Sequence, residues 1–315
     1  MDKLILRYHI DTISGVVKFF LRNLIYRIKY RPVKAVKNNV LYFVFEPNRK
    51  HPGIADRLKA IISLYNHCKK HGYAFKIYFD TPFKLSNYLE PKYNWEASLN
   101  ELEYSIIDTK IINEQSRHPL PNLAKDKQYH CYCYSGNEMP RVFPNTGYKW
   151  CDLFHELFKP SVVLNTAYNE LNITPRTYIS VHIRFVNALE HFENTFFDNH
   201  LKTQQERDNL INRCKDAIME IHKKHDGLDV YVFSDSRVFL DSIGELPVKI
   251  LGKENIGHIS EGSNSMIELK SFLDLYVISQ SKEVYRFIAP ELYNWSGYAK
   301  LAATIGDIKM IDKKI

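Results

Sequence analysis

The chain has 315 residues, 45% of them hydrophobic and 13% aromatic, so it is long enough for two cores and too apolar to be disordered. Its net charge of +7 is concentrated at one end: residues 1–40 hold nine basic residues against Asp2 and Asp11, and the remaining basic and acidic residues balance. A nucleic-acid-binding body would need basic residues spread over a folded face, so no nucleic-acid partner is expected.

Residues 13–28 place Ile13, Val16, Val17, Phe19, Phe20, Leu21, Leu24, Ile25 and Ile28 mostly at helical spacing, with Lys18, Arg22 and Lys29 opposite. With Arg31, Lys34 and Lys37 behind it, residues 13–37 form a basic amphipathic segment. It either lies on an anionic membrane surface or packs on the body as a first helix. No run of about 18 apolar residues occurs, and no signal-peptide cleavage pattern is evident. The five cysteines (Cys68, Cys131, Cys133, Cys151 and Cys214) form no Cys-x-x-Cys pair. They read as reduced thiols, which implies a cytoplasmic protein, peripheral on the inner face of the cytoplasmic membrane if the basic helix docks there.

Val40–Phe45 reads as a strand, the stretch from Leu58 to Cys68 as a helix ending near Gly72, and Ala74–Phe79 as a second strand. Residues 81–150, rich in Tyr, Asn and Pro, give no clear period. Trp150–Leu171 reads as a connector. From Tyr178 onward strands and helices alternate: Tyr178–Phe185, a helix through Leu210 and Ile221, Asp229–Phe233, Val238–Ile243, Val248–Leu251, Met266–Ser279, Glu283–Ile288, Gly297–Ile305 and Ile308–Ile311. That alternation predicts a doubly wound parallel sheet. The expected organisation is a segment 1–38, an acceptor-side lobe with its connecting segment 39–170, and a nucleotide-sugar-binding lobe 171–315.

Ligands of such sheets bind beyond the carboxyl ends of the strands. Along Tyr178–Arg184 the period of two puts Ile179, Val181 and Ile183 on one face. His182 and Arg184 share the other face, near the strand's end. A guanidinium there suits a diphosphate, or an internal ion pair. After the next strand, Ser234 or Asp235 either caps the following helix or binds ligand. Asp274 sits in an otherwise apolar helix and needs a partner. Ser296 and Gly297 stand at a helix N-terminus, whose free N–H groups suit phosphate. Gly53 opens another helix, with Asp56 and Arg57 in its first turn. No Asp-x-Asp pair is present to chelate a divalent ion, so no metal and no cofactor are expected.

In order along residues 40–310, Gly53-Ile-Ala-Asp-Arg57, Phe158-Lys-Pro160, His182-Ile-Arg184, Ser234-Asp235, Asp274 and Ser296-Gly-Tyr298 resemble the motifs of the fucosyltransferase superfamily. That superfamily includes α1,6-fucosyltransferases, nodulation-factor fucosyltransferases and protein O-fucosyltransferases. The resemblance implies an α/β, GT-B-like fold: two Rossmann-type lobes whose parallel sheets face a cleft. It implies inverting, metal-independent transfer of fucose from GDP-fucose to a glycan or lipid-linked glycan acceptor. Arg184 would bind the β-phosphate, His182 and Asp274 the guanine side, and Ser296 the phosphate, with Asp235 supporting the site. Gly53, Arg57, Ser234, Gly297 and Tyr298 would complete the donor site. Family members that use a glutamate base place it near Phe192, so Glu190 and Glu193 flank the position, with Asp56 as a further candidate. The alternatives are a glycosyltransferase with another nucleotide-sugar, and a non-catalytic membrane-tethered nucleotide- or sugar-binding protein.

Overall fold

The computed structural model describes residues 39–45, 53–103, 108–113, 120, 122–132, 139–191, 199–252, 255–257 and 264–315, together with Val17, Leu21 and Leu24. Most of the basic amphipathic segment therefore lies outside the described residues.

Among the described residues the strands build two main sheets, both entirely parallel. The first holds β1 (Val40–Val44), β2 (Ala74–Tyr78), β4 (Thr109–Asn113) and β5 (Gln128–Tyr132) in the order β2-β1-β5-β4. Helix α1 (Ile54–His71) connects β1 to β2. It ends because Gly72 takes φ 67°, a left-handed conformation that costs glycine little, and caps the carbonyls of Cys68 and Lys69.

A small antiparallel pair, β3 (Leu89–Pro91) with β6 (Phe158–Pro160), ties the first half to the connector. The connector holds two helices, α2 (Trp150–Leu157) and α3 (Val162–Glu170). The second sheet holds β7 (Tyr178–Ile183), β8 (Asp229–Ser234), β9 (Lys249–Ile250), β10 (Glu283–Ile288) and β11 (Lys309–Lys314), ordered β11-β10-β7-β8-β9. Its helices are α4 (Gln204–Lys224), α5 (Arg237–Ser242), α6 (Ser265–Gln280) and α7 (Tyr298–Gly306).

The strand faces follow from the pleat. Ile179, Val181, Ile183 and Phe185 pack with Leu210, Cys214, Ile218 and Ile221 of α4 in one core. On the opposite face Tyr178 joins a core built with α6, α7 and the first half of the chain. Helix α6 buries Glu268, Phe272, Leu275, Val277, Ile278 and Ser279. Tyr88 stacks on Phe272 with ring centres 4.7 Å apart, and its hydroxyl donates to buried Glu268 at 2.9 Å. Burying Phe272 alone is worth about 1.5–3 kcal/mol.

The C-terminal ends of α6 and α7 meet so closely that only glycine fits. A Cβ on Gly306 would stand 2.0 Å from the backbone oxygen of Ser279. Arg176 donates to the carbonyls of Ser279, Ser281 and Gly306 at 3.2, 2.7 and 2.7 Å, satisfying helix-end groups that would otherwise be orphaned. Gly306→Ala should therefore cost about 3 kcal/mol, because backbone cannot move aside as a side chain can. Urea unfolding of the variant tests this; an unchanged midpoint would show that the helix ends yield.

Candidate functional site

In the second sheet the strand order reverses between β7 and β10, which is the switch point where α/β sheets open a crevice. His182 of β7 and Arg286 of β10 are direct neighbours in the ladder there. A cleft of about 270 Å³ opens above them. Gly53, Asp56, His182, Arg184, Ser234, Asp235, Asp274, Ser296, Gly297 and Tyr298 all line it. Residues far apart in sequence, chosen from strand ends, helix starts and, for Asp274, a helix interior, thus converge on one cavity. Arg57, Glu190 and Glu193 do not share that placement. Arg57 is buried, its guanidinium 4.6 Å from the centre of the Phe45 ring. Glu190 accepts from Ser236 Oγ at 2.8 Å and Val238 N at 3.1 Å, at the start of α5. Glu193 lies outside the described residues.

Arg184 forms an ion pair with Asp235, NH1 to Oδ2 at 3.2 Å, and keeps about 20% of its side chain exposed towards the cleft. Asp235 is not a helix cap. Ser236 is the N-cap of α5, its Oγ accepting from Phe239 N at 3.1 Å. Asp235 instead turns back across the sheet, and its two oxygens accept from the backbone N–H groups of Phe185 and Val186, both at 2.7 Å. Those bonds hold the turn just after Arg184, where Val186 adopts φ 57°. A β-branched residue is strained in that region, so something must hold it there. Burial pushes the Asp235 carboxyl up, against the opposing pull of Arg184 and the backbone N–H groups.

His182 is buried and stacks on Tyr298, ring centres 5.4 Å apart. Burial, helped by the charges of Arg184 and Arg286, pushes its pKa down to about 3. It is therefore neutral at physiological pH, and its Nδ1 has no partner among the described residues. The sign follows directly. An unfolded histidine binds a proton below about pH 6.5, whereas this one does not until about pH 3, so acid favours the unfolded state across that window. Stability should fall by roughly 1.4 kcal/mol per pH unit inside it from this group alone. His182→Gln should flatten the acid limb between pH 6 and 4 in urea unfolding; an equally steep limb would assign the loss to other groups.

Asp274 is ion-paired with Lys270 one helical turn earlier, and its Oδ1 is buried without a partner among the described residues. Burial raises its pKa, and Lys270 opposes the rise. Tyr298 donates to the Ser271 carbonyl. The α7 N-terminus begins at Gly297 with no side-chain cap. The α1 N-terminus, also opened by an uncapped glycine, adjoins it: a Cβ on Gly297 would stand 3.7 Å from both Ala55 Cβ and Lys59 Nζ. Two positive helix ends and two basic side chains, Arg184 and Lys270, thus border one cavity, a setting for an anionic ligand.

Sequence reasoning missed Lys270, Arg286 and the loop 289–294. Lys270 could have been found from its i, i+4 spacing to Asp274. Arg286 could have been found by the strand-end argument that singled out Arg184. It binds Asp312 through two bonds, at 2.8 and 2.9 Å, and donates to the Ser296 carbonyl at 3.2 Å. It therefore positions the start of α7 rather than standing ready for ligand.

Two parallel sheets of four and five strands around such a cleft are consistent with the GT-B-like fold of fucosyltransferases. The fold is similar to that of NodZ alpha-1,6-fucosyltransferase in a crystal soaked with GDP-fucose, with TM-score 0.54 and 13% identity over 85% of this chain and 93% of that one. It is similar to fucosyltransferase NodZ from Bradyrhizobium, with TM-score 0.54 and 14% identity over 85% and 92%. It is also similar to a variant of Arabidopsis thaliana FUT1 in complex with GDP, with TM-score 0.55 and 10% identity over 93% and 74%. No family profile matches the sequence, and comparison with curated proteins gives no match. At these identities the likeness is one of fold.

Proposed function

We propose that this protein is an inverting glycosyltransferase that transfers fucose from GDP-fucose to a glycan hydroxyl. The observation that carries the reading is the convergence of Arg184, His182, Asp274 and the α7 N-terminus on one cleft at the switch point. Arg184 and the N–H groups at the start of α7 hold the diphosphate. Neutral His182 and the free Oδ1 of Asp274 face the guanine edge. The acceptor oxygen attacks the fucose C1 from the side opposite the leaving group. The C1–O bond to the β-phosphate breaks, and its electron pair leaves with GDP. Arg184 and the helix ends meet that charge, so the mechanism asks for no divalent ion.

Asp56 takes the acceptor's proton. It lines the cleft, is about 42% exposed and is ion-paired with Lys59, whereas Glu190 does not line the cleft and is engaged by the start of α5. Calorimetric titration with GDP and UDP, followed by turnover of GDP-fucose and GDP-mannose, tests the proposal. Preference for GDP with release of fucose is expected. A preference for UDP, or tight GDP binding with no turnover, would overturn it.

We infer as well that the N-terminal segment docks on an anionic membrane, where a lipid-linked acceptor would be reached. Val17, Leu21 and Leu24 are helical, lie on one face, and are each about half exposed. Among the described residues no helix is long and apolar enough to cross a membrane. Deleting residues 1–37 should abolish binding to phosphatidylglycerol vesicles; retained binding would place the contact elsewhere.

A further inference from the structure

Trp295 stands 81% exposed at the rim of the cleft, whereas the other two tryptophans, Trp95 and Trp150, are buried to 1% and 0%. Among the described residues no ring stacks on it and no hydrogen bond reaches its indole N–H. Leaving so large an apolar surface in water is unfavourable, and here the backbone beneath it is not free to fold it away. Asn294 bridges both the N–H and the carbonyl of Ala289, at 3.1 and 2.8 Å. Tyr293 N donates to the Arg184 carbonyl at 2.9 Å, and Arg286 holds the Ser296 carbonyl at 3.2 Å. The residues on either side of Trp295 are thus pinned to the strand ends that carry Arg184 and Arg286. A flat indole held outward on a fixed loop is preorganised for a flat apolar partner.

We propose that Trp295 is the platform on which the acceptor's sugar ring stacks, and hence a specificity-determining residue of this site. The proposal rests on the donor reading above for the identity of the cleft, and on the exposure and rigidity of Trp295 for its own content. The unpartnered polar atoms suited to a nucleotide, on His182 and Asp274, are buried, while the indole lies at the mouth. A hexopyranose presents a C–H face of matching size and polarity. An acceptor laid on that face enters beside the diphosphate subsite rather than through it.

Trp295 is the one exposed tryptophan, so iodide quenching of tryptophan emission, excited selectively at the red edge where tyrosine does not absorb, reports on it. The full-length protein is saturated with GDP and then titrated with maltotetraose, cellotetraose or mannotetraose at millimolar concentration. The expected result is that GDP leaves the quenchable emission in place and at least one oligosaccharide protects it. Trp295→Ala should weaken binding of that oligosaccharide about tenfold, with Trp295→Phe restoring much of it and GDP affinity unchanged in both. Full protection by GDP alone, or no protection by any of the three sugars, would overturn the proposal. Protein that fails to bind GDP by calorimetry would refute the donor assignment instead, and sugar protection in that sample is still scored for Trp295.

Discussion

Arg184→Ala is expected to lower the transfer rate at least about a thousandfold while the protein still folds. Arg184 is the guanidinium that the β7 strand delivers into the cleft beside the α7 N-terminus. Removing a preorganised donor from a developing leaving-group charge typically costs two to three orders of magnitude, and arginines on transferring phosphates cost about 10³ or more. The structure adds a cost in stability. Asp235 is buried, and the substitution removes its ion-pair partner. The carboxylate keeps both backbone N–H donors, so the loss should be about 1–3 kcal/mol rather than the full cost of an orphaned buried charge. Arg184→Lys keeps the charge but not the fork, and its rate should fall between the two. Near-normal turnover in folded Arg184→Ala protein would remove the residue from the mechanism.

Asp235→Asn is expected to damage both fold and activity, although it changes one atom. Each carboxylate oxygen accepts from a backbone N–H, of Phe185 and of Val186. An amide offers one acceptor, and its NH₂ would face the other N–H with no bond possible. The ion pair with Arg184 is lost at the same time. The expected loss is about 3 kcal/mol or more. Because the released turn carries Val186 at φ 57°, its strain would then reposition the residue just before Phe185, which is Arg184. A misplacement of that kind can cost about 100-fold in rate. Urea unfolding and donor turnover on the same preparation test both halves. Full stability in Asp235→Asn would show that the turn does not depend on the carboxylate.

The contrast between these two residues shows what the sequence made legible. Arg184 and His182 were readable because a strand's period of two fixes which side chains share a face, and the β7 core bears that assignment out. The alternation of strands and helices after Tyr178 likewise announced the second sheet, since β7, β8 and β10 each carry buried apolar residues at every second position. Asp235 was placed at a strand end, with a helix cap and a ligand contact both left open, and its bonds to the backbone across the sheet were not foreseen. Local sequence offered Ser234 and Asp235 as cap candidates where the fold uses Ser236, and only the fold shows that Phe185 and Val186 of the adjacent strand end lie within reach of the aspartate.

Strands β4 and β5 were invisible for a different reason. Gln128-Tyr-His-Cys-Tyr132 is a polar, aromatic run without alternation, yet all five residues are buried. Gln128 accepts from the Glu103 backbone at 2.8 Å, so its polar side chain is satisfied by a distant loop that no local pattern announces. The base was the least legible part of the site. The resemblance left Glu190, Glu193 and Asp56 open as candidates, and of the two that are described only Asp56 lines the cleft. Arg286 escaped notice because its role runs through Asp312 and Ser296, partners supplied by the neighbouring strand and the loop beyond it.

In the proposed mechanism Arg184 grips the second phosphate of a guanosine nucleotide. Calorimetric titration of GDP and GMP into the wild-type protein and into Arg184→Ala measures that contact as a difference of differences. Wild-type protein should prefer GDP by about 100-fold, the worth of charge-assisted bonds to one phosphate, and the preference should collapse towards unity in the variant. Equal affinity for GDP and GMP in the wild type, or an undiminished preference in Arg184→Ala, would contradict the account.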